Sequence, residues 1–329
     1  MGDACGIGPE IVARLYAESD GRGAFVVGDV AVLRRAATSI GSLLAVASIE
    51  SPADAWAVPR NCLPVLQASG LPPGLLDAPI GRIDARAGAA AAACIEQAVA
   101  LVARGLAAAI VTAPIHKAAW AAAGIGYPGH TEMLQALAAR DGQAPAVRMM
   151  LANNELRVVL VTIHASLRNA LDAVTFEAVL ETIRIARRSA VPELAAPRIA
   201  VAGLNPHAGE GGLFGDEELR IIAPAIAAAR AEGIDASGPY APDTVFMRAR
   251  DAPGHPGEFD VVVAMTHDHG LIPVKYLGVA DGVNVTLGLP FVRTSPDHGT
   301  AFDIAGRGQA DPSSLCAAVR MARALSAAS

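Results

Sequence analysis

The sequence lacks paired cysteines, a basic excess and a sizeable set of aromatic residues, and each shortage excludes a class of protein. The four cysteines, at positions 5, 62, 94 and 316, are far apart and form no CxxC pair. We therefore expect a reducing compartment rather than a disulfide framework. Aromatic residues make up 4% of the chain, and its formal net charge is −6. Because a nucleic-acid-binding face normally combines basic and stacking aromatic side chains, we expect no nucleic-acid partner.

Long apolar runs and a leader segment are also missing. A membrane-spanning helix needs about 20 predominantly apolar residues. The Ala-rich run over 88–105 is interrupted by Glu96, Gln97 and Arg104, which predicts a packed helix instead. The chain does not open with a basic segment followed by an apolar core, as a signal peptide would. These features predict a cytoplasmic protein with no membrane partner.

The sequence does contain a regular alternation of apolar strand-like runs with longer helical segments. Strands are predicted within "AFVVGD", "GLAAAIVTAP", "ELRVVLVTIH", "PRIAVAGLNP" and "FDVVVAMTH". Helices are predicted near 30–38, over 87–104, and in "LDAVTFEAVLETIRIARR" and "EELRIIAPAIAAARAEG". This alternation predicts an α/β protein with largely parallel sheets. Because the chain has no repeat and no flexible linker, a second domain would form by the chain crossing over and returning.

Histidines follow several of the predicted strands. His164 ends "VTIH", His207 lies in "NPHAGE", and His267 lies in "AMTHDH". Ligands of open α/β sheets bind at the carboxyl ends of strands, where loops converge. Three imidazoles could share one Zn²⁺ or other divalent ion and leave positions open for a substrate. Each histidine could instead form only local hydrogen bonds, and no HExxH motif fixes their spacing. The residues alone leave both interpretations open.

The glycine-rich segments carry no standard nucleotide motif. GxxxxGK[ST] is absent, and "GDACGIGPE" lacks GxGxxG, so no Rossmann site is predicted. In "GYPGHTEML", His130 and Thr131 lie where a glycine turn enters a helix. Thr131 is predicted to be the N-cap, and such a helix start can also bind an anion. Lys275, Asn284 and Arg293 lie in an otherwise apolar segment. They would either grip a phosphate or carboxylate or occupy solvated strand positions.

Ordered motifs lie along essentially the whole chain: "MGDACGIGPE", "VTAPIHK", "YPGHTEML", "GLNPHAGEGG", "PDTVF", "HDHGLIPVKY" and "GVNVTLGLPFVRTSPDHGTAFDIAGRG". Together they resemble the 4-hydroxythreonine-4-phosphate dehydrogenase (PdxA) family. The resemblance implies a two-lobed α/β fold like that of isocitrate and isopropylmalate dehydrogenases, with an interlobe cleft, and not a Rossmann fold. Residues 1–125 and 271–329 would form the NAD(P)-binding lobe. Residues 126–270 would form the metal, substrate and dimerisation lobe, in a homodimer whose partner contributes to each site.

The activity that the resemblance implies is a metal-dependent, NAD(P)-linked oxidative decarboxylation of 4-hydroxythreonine 4-phosphate. The hydroxyl beside the amino-acid carbon would be oxidised to a ketone, and the resulting β-keto acid would lose CO₂. The implied cofactors are a divalent metal (Zn²⁺, or Mg²⁺, Mn²⁺ or Co²⁺) and NAD or NADP. Carried over by motif, the metal ligands are His164, His207 and His267. Asp268, beside His267, would orient a ligand or the substrate.

The same resemblance assigns roles to further residues. The matching substrate-binding positions are His130, Thr131, Lys275, Asn284 and Arg293. The matching catalytic positions are Asp243, Asp268 and Lys275. The matching cofactor-binding positions, in "HGTAFDIAGRG", are His298, Gly299, Thr300 and Gly306.

The chain departs from the family pattern at three places. Family members usually have a short strand before "MGD", whereas this sequence starts at Met1. His116 stands where the family usually has Asn in "TAPINK", and His269 where it has Gln in "HDQG". Because a nearby dication disfavours protonation, we expect both imidazoles to be neutral at pH 7 when the metal is bound. We hypothesise that they retune the cleft towards another substrate; otherwise they are tolerated replacements.

Three other functions stay open. A PdxA-like catabolic dehydrogenase would act on a phospho-threonate, a phospho-erythronate or the cis-dihydrodiol of terephthalate. A zinc hydrolase would use the three histidines to activate water, but it leaves "HGTAFDIAGRG" unexplained. A non-catalytic metal-binding homologue leaves Lys275, Asn284 and Arg293 unexplained. Binding of NAD separates the dehydrogenases from the other two classes.

Overall fold

The protein folds as two compact units. The structure, a computed structural model, describes residues 1–18, 21–191, 194–278 and 280–327. The first unit comprises Met1–Pro145 and Pro290–Arg323, and the second comprises Ala146–Leu289 and the chain from Ala324 onwards. The chain therefore leaves the first unit and returns to it. The units change after Pro145 and Leu289, whereas the predicted lobes changed after residues 125 and 270. The functions assigned to the two lobes stay predictions.

Helices and strands alternate along most of the chain, which confirms the predicted α/β class. In chain order they are α1 (Gly8–Glu18), β1 (Val26–Gly28), α2 (Val30–Ser39), β2 (Ala45–Ile49), β3 (Cys62–Gln67), α3 (Ala85–Ala103), β4 (Ala109–Val111), α4 (Lys117–Ala122), α5 (His130–Leu137), β5 (Arg148–Ala152), β6 (Arg157–Leu160), α6 (Leu167–Asp172), α7 (Phe176–Ser189), β7 (Ile199–Ala202), α8 (Ala223–Ala231), β8 (Ala236–Tyr240), α9 (Val245–Ala249), β9 (Val261–Ala264), α10 (His267–Tyr276), β10 (Val283–Leu287), β11 (Val292–Pro296) and α11 (Ser313–Ala327).

The first unit contains a parallel three-stranded sheet and a separate parallel strand pair. The sheet has the order β1-β3-β2, and β4 pairs with β11. Asp29 caps α2, because its carboxylate accepts the backbone N–H of Val32 at 2.8 Å. Ile11 of α1, Leu33 of α2 and Leu63 of β3 are completely buried in one apolar cluster. The helices thus cover the strands through their apolar sides.

The Ala-rich helix α3 lies within this unit. Its Asp84 N-cap accepts the backbone N–H of Arg86 at 2.9 Å. Gly88 permits a close approach to α4, because a Cβ at that position would lie 2.2 Å from the carbonyl oxygen of Ala119. By length and composition alone α3 could cross a membrane, but half of its apolar window is buried in the protein. Core helices pass the same test, and this burial agrees with the predicted packed helix.

The second unit contains strands in the order β10-β5-β6-β9-β7-β8. Strands β6, β9, β7 and β8 are mutually parallel, whereas β5 is antiparallel to both β6 and β10. Every residue of β7 and β9 is buried, as expected for parallel strands covered on both faces. The prediction of largely parallel sheets is therefore confirmed apart from β5.

The start of α5 corrects one local prediction. The helix begins at His130, and Gly129 is its N-cap, with no side-chain hydrogen bond at the cap. Thr131 therefore lies inside the first turn, and the predicted N-cap role of Thr131 is wrong. Gly129 has extended backbone angles, so the turn that enters the helix ends two positions earlier than the threonine suggested.

Candidate active site

The three histidines predicted as metal ligands follow three neighbouring parallel strands. His164 follows β6, His267 follows β9 and His207 follows β7, and these strands lie side by side in the order β6-β9-β7. Because all three run in one direction, their carboxyl ends meet at one edge of the sheet. This is the edge at which α/β sheets bind ligands.

Two of these imidazoles are close together. The ring centroids of His164 and His267 lie 5.9 Å apart. The segments that carry them are joined just before the histidines, because Thr162 donates to the carbonyl of Met265 from both its backbone N–H (3.2 Å) and its hydroxyl (2.8 Å). His164 has a φ of 47°, in the left-handed region. Non-glycine residues in that region cluster at functional sites.

Asp268 fixes the orientation of the His267 ring. Its Oδ1 lies 2.7 Å from His267 Nδ1, and a carboxylate can only accept this hydrogen bond, so Nδ1 donates. Nε2 of a neutral imidazole then carries the lone pair that a metal ion needs. Metal-binding histidines are commonly held by a carboxylate in this way. The contact supports the predicted orienting role of Asp268.

His207 begins an unusual left-handed turn. The φ angles from His207 to Gly211 are 54°, 52°, 78°, 44° and 67°, so five consecutive residues are left-handed. Three of the five are not glycine, and each such residue costs roughly 1–2 kcal/mol relative to a right-handed conformation. The ring centroid of His207 lies 6.2 Å from that of Phe214. Such a strained turn persists only if the surrounding structure holds it.

A buried carboxylate braces the segment before this turn. Oε1 of Glu218 accepts the backbone N–H groups of Leu204 and Asn205, both at 2.7 Å. Oε2 accepts the side-chain amide of Asn205 at 2.9 Å. Burial acts to raise the pKa of Glu218, but the hydrogen bonds from Asn205 and Leu204 outweigh it and lower the pKa below its usual value. Glu218 is therefore a charged acceptor at neutral pH. Its role could not be inferred from the sequence.

The geometry of a three-histidine metal site is met in part. Two imidazoles that bind one Zn²⁺ ion at about 2.0–2.1 Å must have neighbouring rings, and His164 and His267 meet this condition. Across the described residues, no group of three or more His, Cys, Asp or Glu side chains is arranged to hold a metal ion. The participation of His207 therefore stays a prediction. Imidazole nitrogen suits Zn²⁺ and other divalent transition metals.

Four other predicted or divergent positions lie in the second unit. Asp243 is exposed just before α9, and His269 and Lys275 are exposed on α10. Asn284, on β10, is half-buried and pairs with Leu151 of β5, which in turn pairs with Val158 of β6. In this register Asn284 lies level with Val158, the second residue of β6. It does not lie level with His164, which follows the carboxyl end of that strand. Its substrate contact stays a prediction.

In the first unit, Arg293 provides a buried positive charge near His130. Arg293 is 4% exposed, and its guanidinium donates to the hydroxyl of Thr112 at 2.6 Å. Burial lowers the pKa of Arg293 to about 10, so the side chain remains charged at neutral pH. Burial, followed by the charge of Arg293, lowers the pKa of His130 well below its usual value. An anion bound beside the charged guanidinium of Arg293 would be stabilised.

The predicted cofactor loop is anchored by the first helix of the chain. His298, Gly299 and Gly306 are exposed, and the carbonyl of Thr300 accepts the backbone N–H of Ile7 at 3.0 Å. The buried Glu10 carboxylate accepts the backbone N–H groups of Gly306 and, at 3.1 Å, Gly308. The segment "GDACGIGPE" therefore supports the loop. Glu10 was not predicted, although a carboxylate in an otherwise apolar helix start was a visible signal.

His116 lies against the same loop. Its ring stacks on Phe302, with centroids 4.6 Å apart and an interplanar angle of 17°. Nδ1 of His116 is buried and has no hydrogen-bond partner among the residues that the structure describes. His116, which replaces the usual family asparagine, therefore contacts the predicted cofactor loop through the ring of Phe302.

A family model described as "Pyridoxal phosphate biosynthetic protein PdxA" matches residues 22–322 of this chain. The chain belongs to the PdxA family. A curated 4-hydroxythreonine-4-phosphate dehydrogenase from Beijerinckia indica is 57% identical over 317 residues, covering 96% of this chain and 90% of the relative. The family prediction made from the ordered motifs is therefore confirmed.

Other PdxA relatives carry a second substrate name. A D-threonate 4-phosphate dehydrogenase from Salmonella typhimurium is 45% identical over 332 residues, which is 99% of this chain and 97% of the relative. The crystal structure of a 4-hydroxythreonine-4-phosphate dehydrogenase from Klebsiella pneumoniae has a TM-score of 0.89 and 44% identity, and covers 99% of this chain and 96% of its own. Membership of the family thus leaves more than one phosphorylated acid as a possible substrate.

The environment of His130 predicts a pH effect on stability. Because burial and Arg293 lower the pKa of folded His130, the unfolded chain binds more protons than the folded chain at acidic pH. The free energy of unfolding therefore rises with pH towards about 6.5, the ordinary pKa of histidine. We expect His130→Gln to reduce this slope by up to about 1.4 kcal/mol per pH unit. Urea unfolding between about pH 5 and pH 7, with exposed His255→Gln as the control, measures it. An unchanged slope would contradict the assignment.

Proposed function

We propose that the protein is an NAD(P)-dependent 4-hydroxythreonine-4-phosphate dehydrogenase that oxidises and decarboxylates its substrate with a divalent metal. The observation that carries the proposal is that His164, His207 and His267 follow three adjacent parallel strands in a member of the PdxA family. We further propose a two-lobed fold like that of isocitrate and isopropylmalate dehydrogenases, with the active site in an interlobe cleft, and not a Rossmann fold. The relative with this substrate name covers nearly the whole chain.

The metal ligands in this proposal are His164, His207 and His267. When bound, a divalent ion (Zn²⁺, or Mg²⁺, Mn²⁺ or Co²⁺) supplies positive charge beside the substrate alcohol and the carbonyl formed from it. Asp268 holds the proton on Nδ1 of His267 and so leaves Nε2 as the ligand atom. The neighbouring rings of His164 and His267 support this assignment.

The reaction needs a hydride acceptor and an anion site. The substrate alcohol loses a hydride to NAD⁺ or NADP⁺ and a proton to a base, and the resulting β-keto acid loses CO₂ and takes up a proton at carbon. We assign the catalytic role to Asp243, Asp268 and Lys275. We assign substrate binding to His130, Thr131, Lys275, Asn284 and Arg293. The buried, charged guanidinium of Arg293 supports a phosphate or carboxylate partner.

The cofactor would bind at the loop that contains His298, Gly299, Thr300 and Gly306. Glu10 holds two backbone N–H groups of this loop, which supports a preformed loop rather than one that orders on binding.

We propose a cytoplasmic homodimer in which the partner completes each site. Leu167, Leu213, Phe214 and Met247 are exposed apolar side chains of the second unit, and we propose that the homodimer interface covers them.

A catabolic dehydrogenase is the second candidate, and the relative named for D-threonate 4-phosphate favours it over a hydrolase or a non-catalytic homologue. Phospho-erythronate and terephthalate cis-dihydrodiol belong in the same comparison of substrates. A zinc hydrolase would leave the loop anchored by Glu10 without a function. The retuning hypothesis for His116 and His269 belongs to this second candidate.

The deciding experiment measures NAD(P)H formation from a panel of these acids, with the metal removed and restored. We expect turnover with 4-hydroxythreonine 4-phosphate that disappears on chelation and returns with a divalent ion. His207→Ala should lower Zn²⁺ affinity and turnover together without changing the circular dichroism spectrum, because one of three ligands is lost. The exposed His255→Ala is the matched control. Full activity of His207→Ala, or turnover that no chelator affects, would refute the proposed metal site.

Arg293→Lys tests the anion site. The lysine keeps the charge but loses the planar pair of donors, so we expect KM for a phosphorylated substrate to rise by about tenfold or more. KM for NAD⁺ should change little. Exposed Arg104→Lys is the control for an arginine outside the site. A kinetically silent Arg293→Lys would place this residue outside the anion site.

The double change His116→Asn, His269→Gln tests retuning. If these residues select the substrate, the change should shift the ratio of kcat/KM between 4-hydroxythreonine 4-phosphate and the other acids by more than about tenfold, or roughly 1.4 kcal/mol. Because His116 stacks on Phe302 of the cofactor loop, KM for NAD⁺ is measured in the same assays. An unchanged ratio would show that both histidines are tolerated replacements.

A further inference from the structure

We propose that Glu218 is a positioning residue for the metal site, because its carboxylate holds the strained left-handed turn that carries His207. This inference rests on the proposed role of His207 as a metal ligand. It adds a residue outside the ligand set, on the segment that precedes α8, and it explains how the strained turn is maintained.

The carboxylate of Glu218 fills the space between the end of β7 and the turn. A Cβ at Gly203 would lie 3.0 Å from Glu218 Oε1 and 2.9 Å from the Cα of Ala208. A Cβ at Gly209 would lie 2.7 Å from Glu218 Oε2. The two glycines thus allow the strand end and the turn to close on one buried side chain, which is 3% exposed.

The hydrogen bonds of Glu218 require a carboxylate rather than an amide. One oxygen accepts two backbone N–H groups, from Leu204 and Asn205, and the other accepts the Asn205 side-chain amide. In Glu218→Gln the new NH₂ group would face a donor in either orientation, and a buried donor without an acceptor is costly. The second carboxylate on Asn205, that of Glu217 at 2.7 Å, prevents an easy flip of the asparagine amide.

His207 is the first left-handed residue of the turn, and it closely follows the braced residues Leu204 and Asn205. Ala208 donates its backbone N–H to the carbonyl of Asn205 at 3.0 Å. A shift of the Asn205 backbone would therefore move the residues that precede and follow His207. The position of the His207 ring therefore depends on the bonds of Glu218. A second partner that orients a ligand typically contributes about 10–100-fold to metal affinity.

The experiment measures Zn²⁺ affinity by competition with a chromophoric chelator, together with the visible absorption of the Co²⁺-loaded protein. We expect Glu218→Gln to raise the Zn²⁺ Kd by about 10–100-fold and to change the Co²⁺ spectrum. Glu217→Gln is the matched control, because it removes the other carboxylate on Asn205 but leaves the backbone bonds intact. Its Kd should stay within about threefold of wild type.

A rescue variant separates positioning from general stability. Adding Ala208→Gly to Glu218→Gln makes the left-handed conformation intrinsically less costly, so part of the Zn²⁺ affinity should return. A role in stability alone would lower Tm without changing the Kd of the folded protein. If Glu218→Gln does not fold, Asn205→Ala removes the amide partner and keeps the carboxylate. It should raise the Kd by about threefold or more.

Each outcome distinguishes the two proposals. If His207→Ala binds Zn²⁺ as wild type does, the proposed metal site is wrong and the inference falls with it. If His207→Ala loses affinity but folded Glu218→Gln, or Asn205→Ala in its place, does not, only the positioning role of Glu218 is overturned. A Glu218→Gln defect that Ala208→Gly leaves unchanged also overturns it.

Discussion

The parallel pairing of β6, β9 and β7 is the constraint on which the candidate site depends. Parallel strands in register carry their carboxyl ends to one edge, so residues that are distant in sequence become neighbours without any direct attraction between them. The hydroxyl of Thr162 on the carbonyl of Met265 extends this alignment beyond the strands towards His164 and His267. If β9 were reversed, the same sequence would place His267 at the opposite edge.

Two glycine-rich loops of this protein are held in the same manner. In each, a buried glutamate accepts backbone N–H groups: Glu10 for the loop with Gly306 and Gly308, and Glu218 for the segment before His207. Glycine makes unusual backbone angles possible but does not select them. A buried carboxylate does select one conformation, because only that conformation satisfies its charge. In both loops the glycines therefore permit the unusual backbone angles, and the buried glutamates hold the loop in one conformation.

Elements marked by a run of apolar residues were predictable from the sequence, whereas features that depend on contacts between distant residues were not. Strands β7 and β9 were predictable because every residue is buried and apolar, and the histidines that follow them were visible for the same reason. Strand β8 was missed because Gly238 and Pro239 disfavour a strand in sequence-based reasoning. The left-handed turn was hidden because His207 and Ala208 carry no preference for it, and the role of Glu218 depends on partners more than ten positions earlier.

Charge placement explains how an acidic chain can bind an acidic substrate. The net charge of −6 is distributed over exposed carboxylates, many of which pair with arginine, such as Glu232 with Arg184. Arg293 is buried, and its guanidinium donates to the hydroxyl of Thr112. Burial lowers its pKa to about 10, so the side chain is charged at neutral pH. In the proposed site this charge attracts a phosphate or carboxylate more strongly than an exposed arginine would, because burial reduces screening by water and salt.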